Sequence, residues 1–153
     1  MSSTLHDFLT GATRKAADDL IAALERLPAD KRDWSPMGDA RSALDMVAEC
    51  AILNGTTVEM IQQRAFPPFD WESYRAAKTA LVSDPDGALA LLRENTTRVV
   101  AAIPTVDAAD LATEIPMPWG AQSLSSILSY PYWNMTYHEG QINYLASMLG
   151  VLP

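Results

Sequence analysis

"SLSSILSYPYWNMTYHEGQINYLASMLG", Ser123–Gly150, is the stretch on which the fold turns. Leu124, Ile127, Pro131, Asn134, His138, Ile142, Leu145 and Leu149 recur every three or four residues, the period of an amphipathic helix. Ser125, Ser129, Thr136, Gly140, Asn143 and Ser147 take the opposite arc, and Gly150 is suited to end the helix. Two polar residues nonetheless share the inward stripe. At about 100° per residue, Asn134 and His138 fall within about 40° of each other and close to the mean direction of the apolar residues. Gln141 leans toward the same side. Burying an amide and an imidazole without partners costs roughly 2 kcal/mol or more each. A hydrogen-bond network, a bound metal or a water-filled pocket therefore has to satisfy them. Pro131 removes one helical hydrogen bond and crowds the Ile127 carbonyl, which predicts a kink or irregular turn just before Asn134.

Working outward, the same period recurs three more times. Leu5, Leu9, Ala12, Ala16, Leu20, Ala23 and Leu27, closed by Pro28, predict a first helix. On it His6 falls on the flank, where it is expected to be exposed, and Asp18, Asp19 and Glu25 read as a solvated face. Leu44, Val47, Ala51, Asn54, Val58 and Ile61 predict a second helix that stops before "AFPPFD". Asn54 is another polar residue in the seam, a register device or a partner for Asn134 and His138. "DWESYRAAKTAL", 70–81, suits a short helix, and "SDPDG", 83–87, supplies a cap with Pro85 at a first helical position. Pro85, Leu89, Leu92, Thr96, Val99 and Ile103 continue as the third long helix, and 104–120 form a long Pro-rich connection. No period-two segment competes with these patterns. The expected fold is all-α, an up-down four-helix bundle with a long connection between the third and fourth long helices, built as a single domain over 1–153.

Composition narrows the function. Eleven Lys and Arg against nineteen Asp and Glu give a formal charge of −8, which repels phosphate backbones and argues against a nucleic-acid partner. No run approaches 18 apolar residues, so no membrane partner is expected. The start "MSSTLHDFLT" lacks a signal-peptide pattern, and the expected location is cytoplasmic. The single cysteine, Cys50, excludes an intrachain disulfide and reads as a small buried hydrophobe. Trp34, Trp71, Trp119 and Trp133 lie at or near predicted loops, where they would plug bundle ends. Gly-rich phosphate loops, Cys-x-x-Cys, His-Glu-x-x-His and nucleophile elbows do not occur in the sequence.

"PWG" at 118–120, "HEGQI" at 138–142, and "DWSP" at 33–36 followed by "ARSALDMVAEC" resemble the DinB-like (DinB/YfiT) superfamily of bacterial four-helix bundles along nearly the whole chain. In that family a metal is typically held by three histidines, one on the second helix and two, four residues apart, on the last. Matched position by position, these fall on Glu49, Asn134 and His138, so the resemblance implies a degenerate, oxygen-rich site for a divalent ion such as zinc, nickel, iron or manganese, or a site that has lost its ion. Read from the helix period alone, Glu49 sits near Asp45, Thr56 and Gln63, where a solvated carboxylate would sit; a position flanking a cleft would serve equally. Asn54 and Gln141 are the candidate pocket residues. The resemblance implies a metal-dependent hydrolase or a transferase using a low-molecular-weight thiol, acting on a small molecule, with pairing into a homodimer. The alternative is a non-catalytic bundle that binds a small molecule or serves a structural role.

Overall fold

Polar caps set where the helices begin in the computed structural model, which describes residues 3–152. Helix α1 spans Ser3–Arg26. The Ser42 hydroxyl accepts from the Asp45 amide and opens α2 (Ala43–Gln63); Asp70 accepts from the Ser73 amide and opens α3 (Trp71–Val82). Asp84 accepts from the Gly87 amide, with Pro85 at the first helical position, and opens α4 (Pro85–Ala102). Ser123 accepts from the Ser126 amide and opens α5 (Leu124–Met148), after which Gly150 takes the left-handed φ of 69° that closes such helices.

The fold is an all-helical bundle of four long helices. α2 packs most extensively on α4, and α1 on α5. One apolar cluster joins Leu20 and Leu24 of α1, Val47 of α2, Leu92 of α4 and Ile142 of α5. The other joins Leu9, Ile61, Val99 and Leu128 from the same helices. Because the early parts of α2 and α4 share one cluster and their late parts the other, these two helices run in the same direction, and α1 and α5 run oppositely. The short α3 carries the chain back along α2; it has no buried residue and lies outside the bundle. Two amides tie the parallel pair together: Asn95 Nδ2 donates to the Ala51 carbonyl at 2.8 Å, and Asn54 Nδ2 to Thr96 Oγ1 at 3.2 Å. Gly55 makes room for Asn95, whose Nδ2 would lie 2.8 Å from any added Cβ.

Three expectations need correction. His6 is buried, 6% exposed, while Leu5 is 41% exposed. The inward stripe of α1 runs back from Leu27 through Leu24, Leu20, Ala16, Thr13 and Leu9 to His6, so two polar residues hold places assigned to Leu5 and Ala12. The His6 Nε2 and Thr13 Oγ1 atoms have no hydrogen-bond partner among the described residues. Of the kink or irregular turn expected near Pro131, the irregular turn is absent: α5 is continuous across it, with the proline buried. The tryptophans also depart from the expected role. Trp34 packs against the core, but Trp71, Trp119 and Trp133 are more than half exposed, and Trp133 stands mid-helix, stacked on Tyr137.

The connection between α4 and α5 is anchored and not loose. After short 3-10 turns at Ile103–Thr105 and Ala108–Asp110, strand β1 (Glu114–Ile115) pairs antiparallel with β2 (Gln122–Ser123). Ile115 is fully buried as a peg. Leu124 and Ser125, whose amides are free at the start of α5, donate to Thr113 and Leu111 carbonyls at 2.8 and 3.0 Å. This fixes the Met117–Gly120 turn beside α5. No helix among the described residues is long and apolar enough to cross a membrane.

Candidate functional site

The Ser42 cap starts α2 so that Asp45 and Glu49 stack one turn apart on one face, with Arg41 just ahead of them. Ser42 Oγ also donates to Asp33 Oδ1 at 3.0 Å, which joins the "DWSP" loop to this helix start. Arg41 pairs through Nε with the Asp45 carboxylate and donates from Nη2 to Glu49 Oε2 at 2.8 Å. Lys78 of α3 donates to Asp45 Oδ1 at 2.9 Å. The other Glu49 oxygen accepts from His138 Nε2 at 2.9 Å, and His138 Nδ1 faces Gln141 Oε1 at 2.6 Å. One continuous chain, Lys78–Asp45–Arg41–Glu49–His138–Gln141, thus crosses α3, α2 and α5.

Glu49 is the pivot, and its side chain is only 16% exposed. Burial pushes its carboxyl up, but the His138 hydrogen bond and the Arg41 charge outweigh burial and hold it down at about 2. An ionised carboxylate only accepts hydrogen bonds, so His138 carries a proton on Nε2. The solvated reading of Glu49 is therefore corrected: its face of α2 is a wall, half covered by α3. Burial drives the Cys50 thiol far up, so this fully buried residue is packing material, not a nucleophile.

The structure brings Glu49, His138 and Gln141 together and keeps two candidates apart from them. Asn134 is buried as expected, but its Nδ2 points to Cys50 Sγ at 3.5 Å. Asn54 serves Thr96 and Met135 Sδ instead of the His138 group. Sequence reasoning missed Arg41, Asp45 and Lys78. The 41, 45, 49 spacing, a cation followed at each helical turn by a carboxylate, was the available signal; Lys78 had none, because nothing in the sequence says that α3 folds over α2.

Beside this chain lies a cavity of about 640 Å³, within the range of small-molecule sites. Arg41, Glu49, Lys78, Tyr74 and Tyr130 form its polar end, and Phe66, Phe69, Trp71, Trp119 and Met117 its apolar collar. The collar is built edge to face: Phe66 on Trp119 at 5.3 Å and 78°, Phe69 on Trp71 at 4.9 Å and 84°. Burial, with the Glu49 charge adding to it, pushes the Tyr130 phenol up to about 12 and the Tyr74 phenol higher still. Both remain hydrogen-bond donors at neutral pH.

This donor set does not fit a divalent ion as arranged. Each Glu49 oxygen accepts from a nitrogen, the nearer His138 nitrogen is protonated toward Glu49, and Asn134 turns its Nδ2 toward Cys50 and makes no side-chain hydrogen bond to Glu49 or His138. Among the described residues no three His, Cys, Asp or Glu side chains are grouped to hold a metal. The positive charge opposite Glu49 is the Arg41 guanidinium.

Comparison with known proteins follows from this geometry. The sequence profile of the DinB superfamily matches residues 12–142. No curated protein matches the chain significantly in sequence. Among solved structures, YfiT from Bacillus subtilis, described as a probable metal-dependent hydrolase with an unusual four-helix-bundle topology, is similar at a TM-score of 0.81 and 20% identity, over 98% of this chain and 90% of its own. A mycothiol-dependent maleylpyruvate isomerase is similar at 0.71 and 12% identity, over 90% of this chain and 60% of its own. The colibactin self-resistance protein ClbS, solved in complex with a double-stranded DNA, is similar at 0.67 and 17% identity, over 93% and 95%. At these identities the likenesses establish the fold. The ClbS complex overturns one expectation: nucleic acid is not excluded as a partner by fold class and net charge, because binding uses a local surface while net charge averages over the whole.

Proposed function

The chain belongs to the DinB superfamily, and from that premise we propose that it is a metal-independent member that binds a small amphipathic organic molecule in the 640 Å³ cavity. The observation that carries this reading is the Arg41–Glu49–His138 chain, in which Glu49 faces a guanidinium on one oxygen and the imidazole on the other, and which sets a fixed cation at the cavity's polar end. The aromatic collar supplies the apolar grip. Metal content by mass spectrometry, on protein purified without a metal-affinity step and again after incubation with zinc, nickel, manganese and iron, tests it. The expected result is far less than one ion per chain under every condition. Near one ion per chain, lost in His138→Ala, would sink the reading.

A second reading is favoured by one observation, the 2.9 Å approach of Glu49 and His138 beside the cavity. It makes the protein a metal-dependent hydrolase, as YfiT is described, or a transferase using a low-molecular-weight thiol, with Glu49, Asn134 and His138 as ligands once Arg41 has swung away. Arg41→Ala separates the two readings. A variant that gains stoichiometric zinc supports the second; one that stays metal-free and loses stability supports the first.

A further inference from the structure

Counting donors and acceptors at the polar end of the cavity assigns a ligand class, and this inference rests on the ligand-binding reading above. All four carboxylate oxygens of Asp45 and Glu49 already accept from Arg41, Lys78 or His138. The donors are not used up. Arg41 spends Nε and Nη2 on its partners, and its Nη1 group has none among the described residues. Lys78 has three N–H groups and one ion-pair partner, Asp45 Oδ1. The Tyr74 and Tyr130 hydroxyls line the cavity and make no hydrogen bond to another described residue. An amine entering here would find no free carboxylate, whereas an acceptor would meet unused N–H and O–H groups from α3, from α5 and from Arg41 just ahead of α2. The two cations are already balanced by the two carboxylates, so the polar end offers unused donors and no surplus charge, and each negative charge beyond one on the ligand would be uncompensated. The collar of Phe66, Phe69, Trp71 and Trp119 suits a flat body behind that charge.

We propose that the cavity takes an aryl monocarboxylate, with its carboxylate held by Arg41 Nη1, Lys78 and the two tyrosine hydroxyls and its ring system against the aromatic collar. Charge-assisted bonds to guanidinium and ammonium are the stronger kind, so the anionic group dominates selection.

The test uses the full chain and three matched probes, 2-naphthoate, 2-naphthamide and 2-naphthylmethylamine, titrated by calorimetry and by tryptophan fluorescence, since Trp71 and Trp119 border the site. The carboxylate is expected to bind about tenfold or more tightly than the amide, and the amine weakest. In Lys78→Met, a change on a helix with no buried residue, the carboxylate should lose most of that advantage while the amide binds as before. Equal binding of all three, or preference for the amine, overturns the carboxylate assignment and leaves the cavity reading standing. Binding by none of them, with or without added zinc, overturns the cavity reading and this assignment with it.

Discussion

Glu49 shows how one side chain can be stabilising and illegible at once. Its carboxyl is held at about 2 in the folded chain, against an ordinary value of 4.5. A lowered carboxyl contributes stability that is complete above the unfolded value and disappears as pH falls from about 4.5 toward 2; the full contribution is of order 3 kcal/mol. Urea unfolding at pH 7 and pH 3 should therefore show a larger acid loss in the native protein than in Glu49→Gln, and parallel curves would contradict the pairing. The helix period placed Asn134 and His138 inward correctly, because apolar neighbours on their own helix define the face. Glu49 stayed ambiguous, because what covers its face is a different helix. His6 and Thr13 were missed for a simpler reason: a polar residue on a core stripe shifts the apparent phase of the pattern. Thr13 leaves a buried hydroxyl unsatisfied, so Thr13→Val should raise stability by about 1 kcal/mol, a Tm gain of roughly 2–4 °C. A fall in Tm would mean the hydroxyl has a partner after all.

Among the elements, α3 differs from the rest. It was legible as a helix from its sequence, yet its purpose was not, since it buries no residue fully and meets the bundle through Val82, Lys78 and the aromatic edge of the cavity. An element attached this way opens locally before the core does. Asp70→Ala removes the cap of α3, so amide exchange over 71–82 should quicken severalfold while the global Tm hardly moves. A uniform increase across α2 and α4 would instead make α3 part of the cooperative core. The 104–120 stretch was legible from sequence only as a long Pro-rich connection. Its order comes from two buried side chains, Val106 and Ile115, and from lending carbonyls to the start of α5, neither of which leaves a periodic trace.

At the level of the whole molecule, four long stripes and their punctuation were enough to give the bundle, because burying four amphipathic faces has few solutions. The parallel course of α2 and α4 was not in the pattern; it follows from α3 returning the chain, a matter of connection length and not of faces. The cavity was equally hidden, being assembled from α2, α3, α5 and the β1–β2 turn. If the cation at this site belongs to the chain, the intact protein should melt at the same temperature with and without excess chelator, and a drop of several degrees would point to a structural ion. Arg41 carries one last consequence. A positive charge made of side-chain atoms is synthesised with every copy of the protein; it cannot be stripped by a competitor, mis-loaded with an ion of the wrong size, or left vacant in scarcity. The polarity of the site is then set by inheritance alone, whatever the surrounding medium contains.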